Sequence, residues 1–258
     1  MRALAAIVAD RSPSTGRTRC TTLRSDPPLT LRTTGDGVVH LVGSAAGPVG
    51  GDDLQLAVTV GAGARLSVRS VAASVVLPGP GSPPSSLRID VTVGPHARLH
   101  WLPEPTIVVR GCDHRAAARI DLAPGAELVW REVVVLGRHR EAAGSLLQRL
   151  RVDVAGRPLL RNDLAVGPRW PGSLGPAGVG VARAVATGLV VGPAAEHLDV
   201  ADAGASGNGA ATSTRVAVLP LGDHAALVTA VAPHALAAVT VLDAVLGRAL
   251  PAVTACAI

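Results

Sequence analysis

A chain of 258 residues with 48% apolar content, no phenylalanine, no tyrosine and three tryptophans must build its core from small aliphatic side chains. Burial is not limiting at this length. All 24 basic residues are arginine and the formal charge is +5; guanidinium charge without interleaved aromatic rings suits acidic protein surfaces and argues against nucleic acid.

The chain opens on a seven-residue apolar run, Ala3 to Ala9, stopped by Asp10 and Arg11. That is short for a signal peptide and lacks a cleavage region. Later apolar segments are broken by Arg183 and by Pro233-His234, short of the ~20 residues that span a bilayer. Cys20, Cys112 and Cys256 form no CxxC pair, which fits a reducing compartment better than a disulfide framework. These features predict a soluble cytoplasmic protein with no membrane association.

Residues 1–35 read as one or two opening hairpins, with Pro13, Gly16 and Pro27-Pro28 as breakers. Extended runs follow at 29–31 and 38–42. The Gly-rich stretch 43–53 holds Gly50-Gly51-Asp52, which suits a turn needing positive φ whose Asp bonds its own backbone. A close backbone approach to a partner or an anion is the alternative there. Leu54, Leu56, Val58 and Val60 then alternate without fault and define one buried strand face.

From here the chain repeats. Val60-Gly61-Ala62-Gly63-Ala64, Val93-Gly94-Pro95-His96-Ala97 and Leu122-Ala123-Pro124-Gly125-Ala126 are three copies of a strand-ending turn, spaced 33 residues (Ala64 to Ala97) and 29 residues (Ala97 to Ala126) apart. Self-similarity at a period of about 20–50 residues marks a stacked architecture. Trp101 and Trp130 close successive copies. At least nine short strands between residues 54 and 135, with turns every 8–12 residues, predict an all-β fold. After a break at 137–144, Leu150, Val152 and Val154 alternate with Arg149, Arg151 and Asp153, and 155–158 is a hairpin turn. Residues 199–213 predict a surface loop and 215–219 a strand. Helices are predicted only near the end, at 224–231, capped by Asp223, and at 235–249, with Pro233 between them.

His96, His100, Glu104, Cys112, Asp113 and His114 lie within 19 residues, with Asp121, Glu127, Glu132 and His139 nearby. Histidine, cysteine and carboxylate are the ligand set for nickel and zinc, but no pair has a recognised ligand spacing. A hydrolase using His114 and Cys112 is a further reading, although no nucleophile motif accompanies them. Trp101 and Trp130 are candidates either for burial between layers or for anchoring a partner.

Several segments, in order, resemble the urease accessory protein family UreD, also called UreH. Residues 47–54 (GPVGGDDL) are similar to that family's Gly-rich segment ending in GGD, and 70–76 (SVAASVV) to its following strand. Residues 99–107 (LHWLPEPTI) resemble its LEWLPQETI signature, 128–138 (LVWREVVVLGR) its WE…LGR segment, and 156–159 (GRPL) its GxPL turn. His100 stands where the family usually has an acidic residue, Glu104-Pro105 replaces Gln-Glu, and the family's Gly-Glu after LGR is absent, so the chain resembles a divergent member. The resemblance is carried most fully by 17–165 and implies one UreD-like domain over 1–258: a mainly β, β-helical stack of short strands with about two C-terminal helices.

It also implies a scaffold and metallochaperone, not an enzyme, that binds apo-urease with UreF and the GTPase UreG and assists nickel insertion. Nickel would be handled in transit, with no tightly bound cofactor. His100, Glu104, Asp121 and Glu132 are then the candidate polar groups along a nickel path. Gly50, Gly51, Asp52, Trp101, Trp130 and Arg138 are the candidate partner-facing or motif residues. The alternative is a β-rich binding module with no nickel role, whose arginine faces dock an acidic protein.

Overall fold

A computed structural model describes residues 1–79, 81–199, 201, 214–247 and 249. In chain order the strands are β1 (Arg2–Arg11), β2 (Thr18–Arg24), β3 (Leu29–Gly35), β4 (Val38–Gly43), β5 (Asp53–Val60), β6 (Arg65–Ser70), β7 (Ser74–Val76), β8 (Ser85–Val93) and β9 (Arg98–Leu102). They continue as β10 (Thr106–Val108), β11 (Asp113–Leu122), β12 (Glu127–Leu136), β13 (Ser145–Val154), β14 (Arg157–Val166), β15 (Ala184–Val191), β16 (Arg215–Pro220) and β17 (Ala225–Ala232), followed by helix α1 (Ala235–Leu246).

The chain winds into a β-solenoid of about four turns. From β4 to β13 the chain passes back and forth between two facing sheets, so neighbouring strands of each sheet come from successive coils. In the first sheet β1, β5, β8, β11 and β13 run parallel, flanked by antiparallel β2 and β14. In the second sheet β4, β6, β9 and β12 run parallel, with β15, β17 and β16 added antiparallel on one side and β3 on the other. Short β7 and β10 form a third face with the end of β12.

The three repeated turns sit directly on one another. The Gly94 amide donates to Val60 O at 2.8 Å, Ala123 N to Val93 O at 2.9 Å, Arg98 N to Ala64 O at 2.9 Å and Glu127 N to Ala97 O at 2.9 Å. Gly63, His96 and Gly125 occupy the same corner of each turn with φ of +65°, +55° and +72°. The period legible in the sequence is therefore the pitch of the solenoid.

Alternation then decides the inside. Leu56, Ile89, Val91, Ile120, Leu122, Leu150 and Val152 from the first sheet meet Leu66, Val68, Leu99, Leu128 and Leu189 from the second in one central core. A second cluster lies outside the second sheet, where Val241, Leu242, Val245 and Leu246 of α1 cover Val129, Val133 and Ala186. Gly188 is required there, because a β-carbon would stand 2.9 Å from the Leu242 side chain.

Two expectations change. The helix predicted over 224–231 is strand β17, paired on both sides by β15 and β16, and Asp223 lies in the turn before it. A run of Ala, Leu and Val has little polar alternation, so periodicity cannot tell strand from helix. The terminal helix ends at Leu246 and not at residue 249; it is capped by His234, whose Nδ1 accepts from Ala237 N at 3.1 Å. The loop expected over 199–213 falls, at 200 and 202–213, outside the described residues, as does Cys256.

Candidate functional site

The interior is apolar along most of its length and polar at one level. Ser85 lies on the same face of β8 as Ile89 and Val91, and His114 on the same face of β11 as Ile120 and Leu122. Glu132 continues the Leu128–Trp130 face of β12, Gln148 the Leu150–Val152 face of β13, and Thr187 the Leu189–Val191 face of β15. Register brings His114 opposite Ser85, and Glu132 opposite Thr187. These polar side chains separate the central core from a third apolar cluster around Val108, Cys112, Val134 and Leu146.

Two cavities open at this level. One, of about 320 Å³, reaches inward from the loops at 43–48 and 70–75 to Leu87, Thr106 and His114. The other, of about 50 Å³, is walled by the same three residues together with Glu132, Gln148 and Ala116. The His114 Nδ1 and Ser85 Oγ are 2.8 Å apart, both residues being buried. Burial holds the His114 imidazole down to about 4, against the opposing Asp113 charge, so it is neutral at physiological pH. Burial pushes the Glu132 carboxyl up to about 7, opposed by the Trp130 indole. That indole N–H makes no full hydrogen bond, so loss of solvent dominates. What accessible surface Glu132 retains lies on the small cavity.

Trp101 and Trp130 are register partners on β9 and β12, stacked with centroids 4.9 Å apart and planes 10° from parallel. Both are buried, so neither ring is available at the surface.

The other candidate residues lie elsewhere. Glu104 and Asp121 are exposed, Asp121 on the outer face of β11. His100 is buried on the outer face of β9, lowered to about 4 by burial first and then by Arg98 and Arg69, against Glu127. The four residues singled out for a nickel path do not converge, and among the described residues no group of three or more His, Cys, Asp or Glu could hold a metal ion.

Gly51 has φ +87°, and Asp52 Oδ2 accepts from Val49 N at 2.8 Å while its Oδ1 accepts from the Met1 ammonium at 2.7 Å. The close backbone approach at Gly50 is to Gly79 of the same chain: a β-carbon on Gly50 would stand 2.5 Å from the Gly79 nitrogen. Arg138 is exposed and pairs with Glu141 at 2.9 Å, which holds the Glu141 carboxyl down to about 2. Cys112 packs against Gly144, and burial, then Asp113, pushes its thiol up to about 11. A thiol so protonated is a poor nucleophile.

Sequence reading missed Ser85, Thr106, Gln148 and Thr187. The signal for two of them was available: Ser85 and Gln148 sit four and two residues from the alternating positions Ile89 and Leu150 on their own strands. Thr187 sits on a strand buried at every position, where alternation gives no sign. Thr106 lies beyond the β9 corner, where alternation restarts.

The W-L-P and W-R-E strands at the centre of the solenoid are among the segments that carry the family likeness. The family model described as "UreD urease accessory protein" matches residues 2–257. The chain belongs to the UreD urease accessory protein family. It is 45% identical over 256 residues to the urease accessory protein UreD of Parafrankia sp., covering 90% of this chain and 84% of that protein. It is 42% identical over 248 residues to the UreD of Streptomyces avermitilis, covering 94% and 95%. The corresponding values for the UreD of Streptomyces coelicolor are 41% over 252 residues, 95% and 96%. An accessory role in urease maturation follows from that membership. Among the described residues no helix is long and apolar enough to cross a membrane.

Proposed function

We propose that this UreD chain is a non-enzymatic scaffold and metallochaperone that binds apo-urease together with UreF and the GTPase UreG in the cytoplasm and assists insertion of nickel into urease. The observation that carries this reading is the family match, which extends over residues 2–257. Nickel is cargo here, held in transit, and no cofactor is tightly bound.

Within this reading Glu132 is the residue of interest. A carboxylate facing an internal cavity offers a hard oxygen ligand where His114 and Thr106 supply further polar contacts. His100 at the outer face, with Glu104 and Asp121 on the exterior, is assigned to the approach and exit of the ion. Deleting the coding gene in its own cell tests the role. Urease should then accumulate without nickel and without activity, and regain both when the gene is restored. Unchanged nickel loading in the deletion strain would overturn the proposal and favour a β-rich binding module without a nickel role.

A further inference from the structure

The outer faces of the two sheets carry their charge differently. On the first sheet arginines and carboxylates are interleaved: Arg88 pairs with Asp90, Arg149 and Arg151 with Asp163, and Arg161 with Asp153. On the N-terminal half of the second sheet they are not. Arg32, His40 and Arg69 stand directly across from one another on β3, β4 and β6. Arg65 and Arg98 form a parallel row, four residues along, on β6 and β9. Arg98 pairs with Glu127 at 2.7 Å; Arg32, Arg65 and Arg69 make no ion pair among the described residues. With strands ~4.8 Å apart and ~3.3 Å per residue, the patch measures roughly 14 by 13 Å.

Its centre is polar and unsatisfied. Ser67 and His100 are register partners between the two rows. The Ser67 Oγ is buried without a hydrogen-bond partner, and the His100 imidazole makes no hydrogen bond among the described residues. Carboxylates bordering the patch are Glu127, paired with Arg98, Asp36, paired with Arg17, and exposed Glu104, whose amide donates to Ser70 Oγ at 2.9 Å. The Ser67 hydroxyl lies beneath this surface, so the groups an incoming chain meets are the arginines.

We propose that this face, centred on Ser67 and His100 and rimmed by Arg32, Arg65 and Arg69, docks an acidic, extended segment of a partner protein. Guanidinium forks match carboxylates in bidentate geometry. A segment with carboxylates at alternate positions spaces them ~6.8 Å apart, so two or three fit the patch. Nucleic acid fits poorly, because no aromatic ring stands among these arginines to stack a base. A lipid surface fits poorly too, because the exposed large apolar residues (Met1, Leu4, Val71, Leu174, Val181, Leu219 and Leu236) all lie outside β3, β4, β6 and β9. The surface is distinct from the internal cavity, and the inference holds whether or not nickel passes through the chain.

The test uses the full chain and a fluorescein-labelled octapeptide of alternating glutamate and threonine. The triple variant R32Q/R65Q/R69Q should bind it about tenfold more weakly than wild type, as expected for loss of three charge contacts. The control R115Q/R119Q/R149Q, on the first sheet, removes the same charge and should bind nearly as wild type. In the wild-type protein, peptide saturation should shift the NMR resonances of Ser67 and His100, which lie between the two arginine rows. Equal weakening in both variants would reduce the effect to net charge and overturn the proposal. So would an unmoved His100 on peptide saturation, or tighter binding of duplex DNA or anionic vesicles, lost in the same triple variant. The His100 measurement needs only wild-type protein, and so decides the matter even if the triple variant does not fold.

Discussion

Trp101 and Trp130 cover one another inside the solenoid, and each ring needs the other to exclude the space it leaves. Trp101→Ala is expected to cost about 3–5 kcal/mol, read as a lowered urea midpoint with an unchanged slope. A double-mutant cycle with Trp130 should return a coupling of about 0.5–1.5 kcal/mol. Glu132 is the residue at which stability and function oppose one another. Its folded-state pKa is raised to about 7, so the folded chain keeps a proton that the unfolded chain has already released. Stability therefore falls as pH rises from about 4.5 to about 7, by about 3 kcal/mol in all, and stays lower above that. Glu132→Gln should be more stable than wild type at pH 8 by up to that amount and should flatten this part of the pH profile. If Glu132 passes nickel, the same variant should lower the nickel content of urease in the cell while leaving the accessory complex intact on copurification. Normal nickel content would remove Glu132 from the path.

In both the turns and the helix a single contact can be weighed by substitution. Gly125 is the corner of the third stacked turn, with φ +72°, and a β-carbon there would stand 2.6 Å from the His96 ring above it. Gly125→Ala is expected to cost about 1–3 kcal/mol through left-handed strain and this clash, measurable by chemical denaturation. Helix α1 is fastened to the second sheet by Arg131. Its NH1 reaches both Asp243 oxygens at 2.7 Å and its NH2 reaches Pro103 O at 3.0 Å. Arg131 is buried and Asp243 only partly so. Asp243→Ala should therefore cost about 2 kcal/mol, less than a fully buried pair, and should speed hydrogen exchange in Ala235–Leu246 more than in β9. Equal exchange rates would show that apolar packing alone holds the helix.

For the molecule as a whole, the acid limb of stability belongs to its histidines. His100 and His114 are each lowered to about 4 by burial, so the unfolded chain binds protons that the folded chain refuses. Stability is lost as pH falls from about 6.5 to about 4. Thermal melting should show this loss, reduced in His100→Gln. An acid limb unchanged by that substitution would place the cost elsewhere. Opposed by Glu132, the two histidines set a stability maximum near neutral pH.

The residues by themselves determined the architecture of the central stack and the family. The three turns from Val60 to Ala126 recur because each coil must place the same backbone in the same corner, and strict alternation on β5, β8 and β11 leaves only one face for the core. The segments 99–107 and 128–138 carried the family likeness for the same reason, since both lie where adjacent coils touch. Tertiary structure decided what local pattern leaves open. Residues 225–232 became a strand because β15 and β16 pair both of its edges and α1 covers one of its faces. Gly50 and Gly79 meet although 29 residues apart, and the Gly50-Gly51-Asp52 turn thereby serves the chain's own packing. Which polar groups meet was also a tertiary outcome. Glu132, His114 and Thr106 share cavity walls because their strands end their apolar faces at one level, while alternation turned His100 and Asp121 outward and Glu104 stands in the corner between β9 and β10.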